Sequence, residues 1–511
     1  MNRVALSLVL ALTVVRPAPA QDAPTDDRVL RAMWDEGMTE RSQAARLAQA
    51  LMDSIGPRLT GTSGYANAVD WALAQYSAWD IDARREQYGT WNGWRRGATQ
   101  LELIAPRRRD LDATLMAYSP GTDGPVVGEV VAFPDLPEQA AYDAWLAEAR
   151  GKVILLTPPE TSCRPLENLI AHSRPETVRR IQAQRDSIQA VWGQRLARSG
   201  GGLGTRFDEA GIAAVLSSSW SQGWGVSRIH SAATREVPML DVSCEDNGLL
   251  NRLAENGQQP RVRLDADAEA LGEVPSYNTI AEMRGGELPN EYILLSAHLD
   301  SWDGASGATD NGTATVMMME AMRILKATYP SPRRTILVGH WGGEEQGLIG
   351  SGAFAADHPQ VVDNIHVGFN HDNGTWRVEA IRMQGFEEAQ PMVERWLRRI
   401  PGKISDTIAF TSPQREGGSD HTSFTCRGAP VVRLQSNYPD YRQYTWHTNL
   451  DTYDKVILDD LKNNATLAAM LAYLASEEPA RLPREREPRI SQEGEPEPYP
   501  PCRVPPRSSG G

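Results

Sequence analysis

Between Ala297 and Glu345 the chain reads AHLDSWDGASGATDNGTA and then, after a helix-length apolar run, TILVGHWGGEE. This stretch holds three groups of ligating side chains: His298 with Asp300, Asp310 before Asn311-Gly312, and the pair Glu344-Glu345. Each falls at the C-terminal edge of an expected strand or at a helix start, and in an α/β sheet those edges face one crevice. Residues i and i+2 of a strand point the same way. The Asp300 carboxylate is therefore placed to accept one ring proton of His298 and aim the other nitrogen at a metal; a surface histidine satisfied by an acidic neighbour is the commoner reading of such a pair taken alone. Asp310 reads first as a helix N-cap, although a carboxylate there can also bridge two cations. Glu344 and Glu345 follow a strand through Gly342-Gly343, where a tight turn is easy. Adjacent side chains diverge, so one carboxylate can bind metal while its neighbour acts as general base. The ordinary alternative is an acidic helix start favoured by the dipole. Asp372, in HDNG just past a later strand, and His447, in WHT ahead of the last helix, each have a plain turn reading too.

Joint placement shifts that balance. His298, Asp310, Glu345, Asp372 and His447 at successive element ends, with Glu344 to spare, supply nitrogen and oxygen donors for a two-metal centre. Such donors suit zinc, with cobalt or manganese as substitutes. Two ions sharing a carboxylate polarise a carbonyl and deliver hydroxide, which is hydrolytic chemistry.

The elements that must position these residues alternate. A helical pattern over Asp26 to Ile55 stops at Gly56-Pro57, and a second runs from about Ala66 to Trp79. Strand-type segments follow at Thr99 to Ile104 and Val126 to Phe133. From about Gly124 to Ala270 short strands such as Val153 to Leu156 alternate with Gly- and Ser-rich turns, the texture of a β-rich insert, interrupted by an amphipathic helix from Pro175 to Ala197 that reads better as packed on the insert than as a lid. Near Ser276 the αβ alternation resumes: strands at Asn278 to Met283, Tyr292 to Ala297, Thr335 to His340 and Ile365 to Asn370, with helices between and a last helix from Leu458 to Ala475. The fold class is therefore α/β, a mixed, mostly parallel sheet flanked by helices, with an inserted β-rich domain. The expected division is 1–20 leader, 21–123 first part of the main domain, 124–270 insert, 271–476 main domain and 477–511 a disordered Pro-rich tail.

The 511 residues exceed what one core accommodates. The net charge of −14 repels nucleic acid and offers no basic anchor for anionic lipid. Arg3, the apolar run Val4 to Val15 and Ala18-Pro19-Ala20 have the order of a secretory signal peptide, and no later stretch is apolar enough to span a membrane. Export permits disulfides; of Cys163, Cys244, Cys426 and Cys502, none in C-x-x-C spacing, the first two share the insert and are the expected pair.

The segments AHLDSWDGASGATDNGTA, GHWGGEEQGLIGS, NHDNGT, GGSDHTSF and WHTNLDTYDKV, together with SIGPRLTG at Ser54 to Gly61, resemble the secreted co-catalytic di-zinc exopeptidases, a family of bacterial aminopeptidases, glutamate carboxypeptidases and carboxypeptidase Q. The carboxypeptidase Q branch, with its protease-associated insert, is the most similar. The resemblance implies a zinc-exopeptidase, phosphorylase/hydrolase-like fold and two Zn2+ per chain. It implies that His298 and Asp372 bind one ion, Glu345 and His447 the other, and that Asp310 bridges them. Glu344 is then the general base, Asp300 orients His298, and Tyr444 or His421 steadies the oxyanion. Asp420 matches a family position near the site that is not a metal ligand. The implied activity is hydrolysis of terminal bonds in short peptides by a secreted or periplasmic enzyme whose partner is the peptide substrate, with no nucleic acid and no membrane, and with a dimer left open. Two other readings compete: a single-zinc glutaminyl-cyclase-like acyltransferase, against which the full ligand set speaks, and a receptor-like binding domain, which would have lost ligands. Ser419-Asp420-His421 makes a poor serine hydrolase, because no G-x-S-x-G elbow precedes a helix.

Overall fold

The computed structural model describes residues 25–411, 417–491, 494–499 and 501–509. The leader read at 1–20 lies outside them. One sheet of fourteen strands organises the described chain. Across its main part the order is Ala409–Thr411, Val378–Arg382, Val431–Ser436, Ile365–His371, Leu288–His298, Arg334–Trp341 and Arg261–Met283. The central strands Val431–Ser436, Ile365–His371, Leu288–His298 and Arg334–Trp341 are mutually parallel, and antiparallel neighbours flank them. The mixed, mostly parallel α/β architecture expected from the alternation is thus present. Every residue of Arg334–Trp341 and Ile365–His371 is buried, as strands covered on both faces must be.

On one face lie Arg28–Met38, Thr313–Thr328 and Leu458–Glu477, whose buried side chains form a core with Ile293, Leu295, Val338 and Val367. The opposite face packs Trp341, Phe354 and Phe424 with Leu294 and Val431. The single N-terminal helix expected over Asp26 to Ile55 is instead broken into Arg28–Met38, Ala44–Gln49 and Ala50–Ile55. At the break Ser42 Oγ and Gln43 N donate to the buried Glu320 carboxylate, which Arg323 also pairs, a tertiary contact that periodicity does not report.

Two strands are far longer than the local pattern suggests. Asp82–Ala105 and Arg261–Met283 pair antiparallel over nearly their full lengths and form a ribbon that carries the chain from the main sheet into the insert. One end of Arg261–Met283 pairs with Arg334–Trp341, the other with Val126–Ala132. The insert has parallel strands Val126–Ala132, Val153–Leu155, Ala214–Ser217 and Met239–Val242, and it also carries five helices among the described residues, so it is itself α/β. Pro175–Ser199 packs on the insert, its buried Arg185 donating to the carbonyls of Ser162 and Arg164. Cys163 and Cys244 are joined, as expected.

The tail requires a correction. Expected to be disordered from 477 onward, its described residues lie across the surface: Leu482 is buried, Arg484 donates to the carbonyls of Asp363 and Ile365, and Cys502 is joined to Cys426. Composition registers how little apolar surface a segment can bury, and it is blind to a covalent link and arginine–carbonyl contacts.

Candidate active site

Register assembles the site. Ser296 pairs with Asn370 and His298 with Trp341, so His298, the turn after Trp341 and Asp372 stand side by side at the carboxyl edge of parallel strands. The turn depends on glycine. A Cβ on Gly342 would sit 2.0 Å from the Tyr65 hydroxyl oxygen, and Gly343 has φ +66°.

His298 Nε2 lies 3.1 Å from Asp372 Oδ1, 3.5 Å from Asp310 Oδ1 and 4.0 Å from Glu344 Oε2. His447 Nε2 lies 3.0 Å from Glu345 Oε2 and 3.3 Å from Asp310 Oδ2. Asp310 therefore turns one oxygen to each histidine. Among the described residues two groups have the spacing to hold a metal ion, His298–Glu344–Asp372 and Asp310–Glu345–His447, each with ligand atoms within 4.8 Å of one another. Glu345 Oε1 and Asp310 Oδ2 are buried and accept no hydrogen bond, as donor atoms reserved for cations would be. The donor set and its unsatisfied oxygens fit divalent zinc.

Several residues hold these side chains. The Asp300 carboxylate accepts the backbone N–H groups of Glu344 and Glu345, each at 3.2 Å, while His298 Nδ1 lies 3.0 Å from the Asp300 carbonyl oxygen and 3.6 Å from its carboxylate. Asp300 thus ties the histidine strand to the glutamate turn. Asp310 is not a helix cap: its φ/ψ are −131°, 87°, and the helix begins at Thr313. Its N–H and that of Thr309 donate to the two oxygens of buried Asp451. Buried Arg58 donates to the carbonyls of Gly56, Leu299, Ser306 and Gly307, which shapes the loop ahead of Asp310. Asp451 lies four residues past His447, inside the segment WHTNLDTYDKV that carries the resemblance, and that placement is the signal in the sequence that points to it.

His447 is held differently. It sits in a loop with φ +61°, and the insert grips that loop. Ile229 N–H donates to the His447 carbonyl at 2.8 Å, Ser227 N–H to Asn449 Oδ1 at 2.8 Å, and Asn449 Nδ2 to the Gly225 carbonyl. His230 packs edge-on to the His447 ring and Trp446 stacks on it. Tyr444, expected near the oxyanion, instead donates its hydroxyl to Glu167 of the insert at 2.8 Å. His421 is buried and absent from the cavity wall, whereas buried Tyr441 lines the cavity beside Asp310, Glu344, Glu345, Asp372 and His447.

The electrostatics follow from crowding acids out of water. Burial raises Glu344 well above the usual carboxylate range; the His298 charge opposes this and Asp372 adds to it. Burial likewise lifts Glu345, Asp420 and Asp451 to about 7. For His447 burial acts downward, but Glu345 and Asp310 outweigh it and raise the imidazole to about 10. Burial pushes the Tyr441 phenol well up, and the carboxylates of Asp310, Asp372 and Glu345 add to the effect, so it stays protonated.

Residues 278–472, which contain every proposed ligand, match the model of peptidase family M28. Over 457 residues the chain is 25% identical to human carboxypeptidase Q, covering 88% of each, and over 440 residues 24% identical to the mouse protein, covering 85% of this chain and 86% of that one. Among solved structures, a peptidase M28 precursor from Shewanella amazonensis superposes with TM-score 0.66 at 22% identity, covering 90% of this chain and 98% of the other. A zinc aminopeptidase from Bacillus subtilis gives 0.56 at 19%, covering 86% and 96%. The family resemblance read from the motifs is borne out, and the fold is that of these peptidases.

Proposed function

We propose, from this likeness to peptidase family M28, that the chain is an exported di-zinc exopeptidase that hydrolyses terminal bonds of short peptides. The observation that carries the reading is Asp310 with one oxygen toward His298 and the other toward His447, the arrangement of a carboxylate between two cations. His298 and Asp372 would hold one ion, Glu345 and His447 the other. Bound there, the two zinc ions would polarise the scissile carbonyl and acidify a water.

The chain's own residues do the rest. Glu344 takes the proton of the attacking water and returns it to the leaving nitrogen, a task suited to a carboxylate that burial makes more basic than usual. Asp300 fixes the turn that presents Glu344. Tyr441, protonated and lining the cavity, is better placed than Tyr444 to donate to the developing oxyanion. Export is supported by the leader and by two disulfides, and the proposed compartment is extracellular or periplasmic. No helix among the described residues is long and apolar enough to cross a membrane. The division into a leader, a split catalytic domain and a protease-associated insert near 124–270 belongs to the same proposal, with the ribbon strand Arg261–Met283 crossing the second boundary.

The test is metal content and peptidase rate for the wild type and Glu344→Gln. Two zinc ions per chain in both, with turnover lost in the variant, is the expected result. A single zinc with cyclisation of N-terminal glutamine would replace the reading with the acyltransferase.

A further inference from the structure

The cavity that contains the ligand cluster has a volume of about 760 Å³, in the size class of small-molecule sites. One wall comes from an unexpected source. Tyr499, Pro501, Cys502, Arg503 and Pro505 of the C-terminal segment line it, together with Arg486.

This segment is fastened at intervals along its length. Arg486 donates to the carbonyls of Gln384 and Thr425 and lies 3.3 Å from the centre of the Tyr499 ring. Cys502 is joined to Cys426, immediately after the short helix that follows Asp420. Beyond the cavity, Arg507 makes a two-pronged pair with Asp357 at 2.8 and 3.0 Å and donates to the Tyr88 carbonyl, and Thr90 N–H donates to the Arg507 carbonyl. Pro505 is buried against Gly352, where a Cβ would come within 3.2 Å of its ring. The strap therefore crosses from the Thr425–Cys426 side of the cleft to the Gly352–Asp357 side. Prolines at 498, 501, 505 and 506 fix φ along it and keep it stiff. Among the described residues it adds little to the hydrophobic core, Leu482 apart, so its position serves the cleft more than the sheet.

Its charge is also informative. The acidic residues lining the cavity are Asp310, Glu344, Glu345 and Asp372, all members of the metal-type groups, and the basic ones are Arg433, Arg442, Arg486 and Arg503. Arg433 donates to the Asp372 carbonyl, Arg442 lies over the Trp446 ring, and Arg486 is engaged as described. Arg503 is exposed and has no ion-pair partner among the described residues. A guanidinium so placed, in a chain of net charge −14, is matched to a carboxylate.

We propose that the disulfide-pinned C-terminal strap is the specificity wall of this site: it shuts long chains out of the cleft and presents Arg503 to the free C-terminal carboxylate of a short peptide. The proposal rests on the peptidase reading and names its substrate class. Arg503 is a substrate-binding residue here, and Cys426, Cys502 and Arg507 act by holding the wall.

The test uses the full oxidised protein and alanine peptides of two, three, five and eight residues, each as free acid and as C-terminal amide. The wild type is expected to prefer the dipeptide to the octapeptide, and the free acid to the amide, by about tenfold or more in kcat/KM, the equivalent of one good interaction. Arg503→Ala should raise KM for the free-acid dipeptide about tenfold, leave kcat nearly unchanged and leave the amide unaffected, so that the acid preference disappears. Cys502→Ser and, separately, Arg507→Ala should raise the octapeptide-to-dipeptide ratio; the second keeps the test open should the first fail to fold. Unchanged preference in Arg503→Ala, or an unchanged length ratio in both wall variants, overturns the proposal while leaving the peptidase reading intact. A wild type that cleaves none of the peptides removes both.

Discussion

The two metal-type groups are near neighbours in space and differ in what holds them. His298, Glu344 and Asp372 stand at the ends of parallel strands whose register alone brings them together, and His298 is almost fully buried, with 1% of its side chain exposed. Asp310, Glu345 and His447 include a histidine on a loop, 12% exposed, whose backbone is pinned by Ile229 and Ser227 of the insert. One group belongs to the sheet. The other includes a residue whose loop the insert holds. The insert is thus also part of the scaffold of the site.

The largest expected effect tests the shared chemistry. Glu344→Gln should lower kcat by about 10²–10⁴-fold, the usual worth of a general base, with zinc content unchanged by elemental analysis; loss of metal alongside activity would make Glu344 a ligand instead. Next comes the contrast between the groups. His298→Ala and His447→Ala are each expected to reduce zinc from two ions to one. When the wild type is mixed with a chromogenic chelator, zinc should leave in two phases, and the fast phase should be the one missing from His447→Ala. A fast phase missing from His298→Ala would reverse the assignment. A subtler change separates loop from strand: Asn449→Ala removes contacts to Ser227 and Gly225 without touching a ligand. It should weaken only the Asp310–Glu345–His447 ion, by about 10- to 100-fold as for other residues that orient ligands, in equilibrium zinc titrations.

The smallest effect concerns the sheet beneath both groups. Burial lowers His340 to about 3, and its Nε2 lies 2.6 Å from the Tyr76 hydroxyl. Above pH 6.5 the imidazole is neutral folded and unfolded, so it adds no pH dependence there. As pH falls from 6.5 toward 3 the unfolded chain takes up a proton that the folded chain refuses, and stability drops by up to about 1.4 kcal/mol per pH unit. Denaturant titrations of the metal-free protein between pH 7 and 5 should show this slope, and His340→Asn should lessen it.

Much of the site was legible because its residues sit in short patterns where strands end. The i, i+2 placement of His298 and Asp300, the glycines before Glu344 and the turn at Asp372 are local facts, and local sequence states them. Asp310 was read first as a cap because its spacing fits one; its torsions and its contact with Asp451 come from a segment some 140 residues away. Tyr444 looked suitable by its distance from His447 in the chain, but the loop turns it to Glu167 and gives the cavity to Tyr441. Arg58 lies in a stretch that carries the resemblance, while its role, holding four carbonyls, depends for three of them on residues more than 200 positions later.

The sequence by itself determined the alternation of strands and helices, the types of the residues proposed as ligands and the family likeness, since each is written in local composition, spacing or short motifs. Only the tertiary structure decided that the insert grips His447, that a ribbon of two long strands joins the two parts, and that the proline-rich tail is a wall of the cleft held by Cys426–Cys502. Each of these is a contact between segments far apart in the chain, made by backbone groups or by a single covalent bond, and neither leaves a periodicity to read.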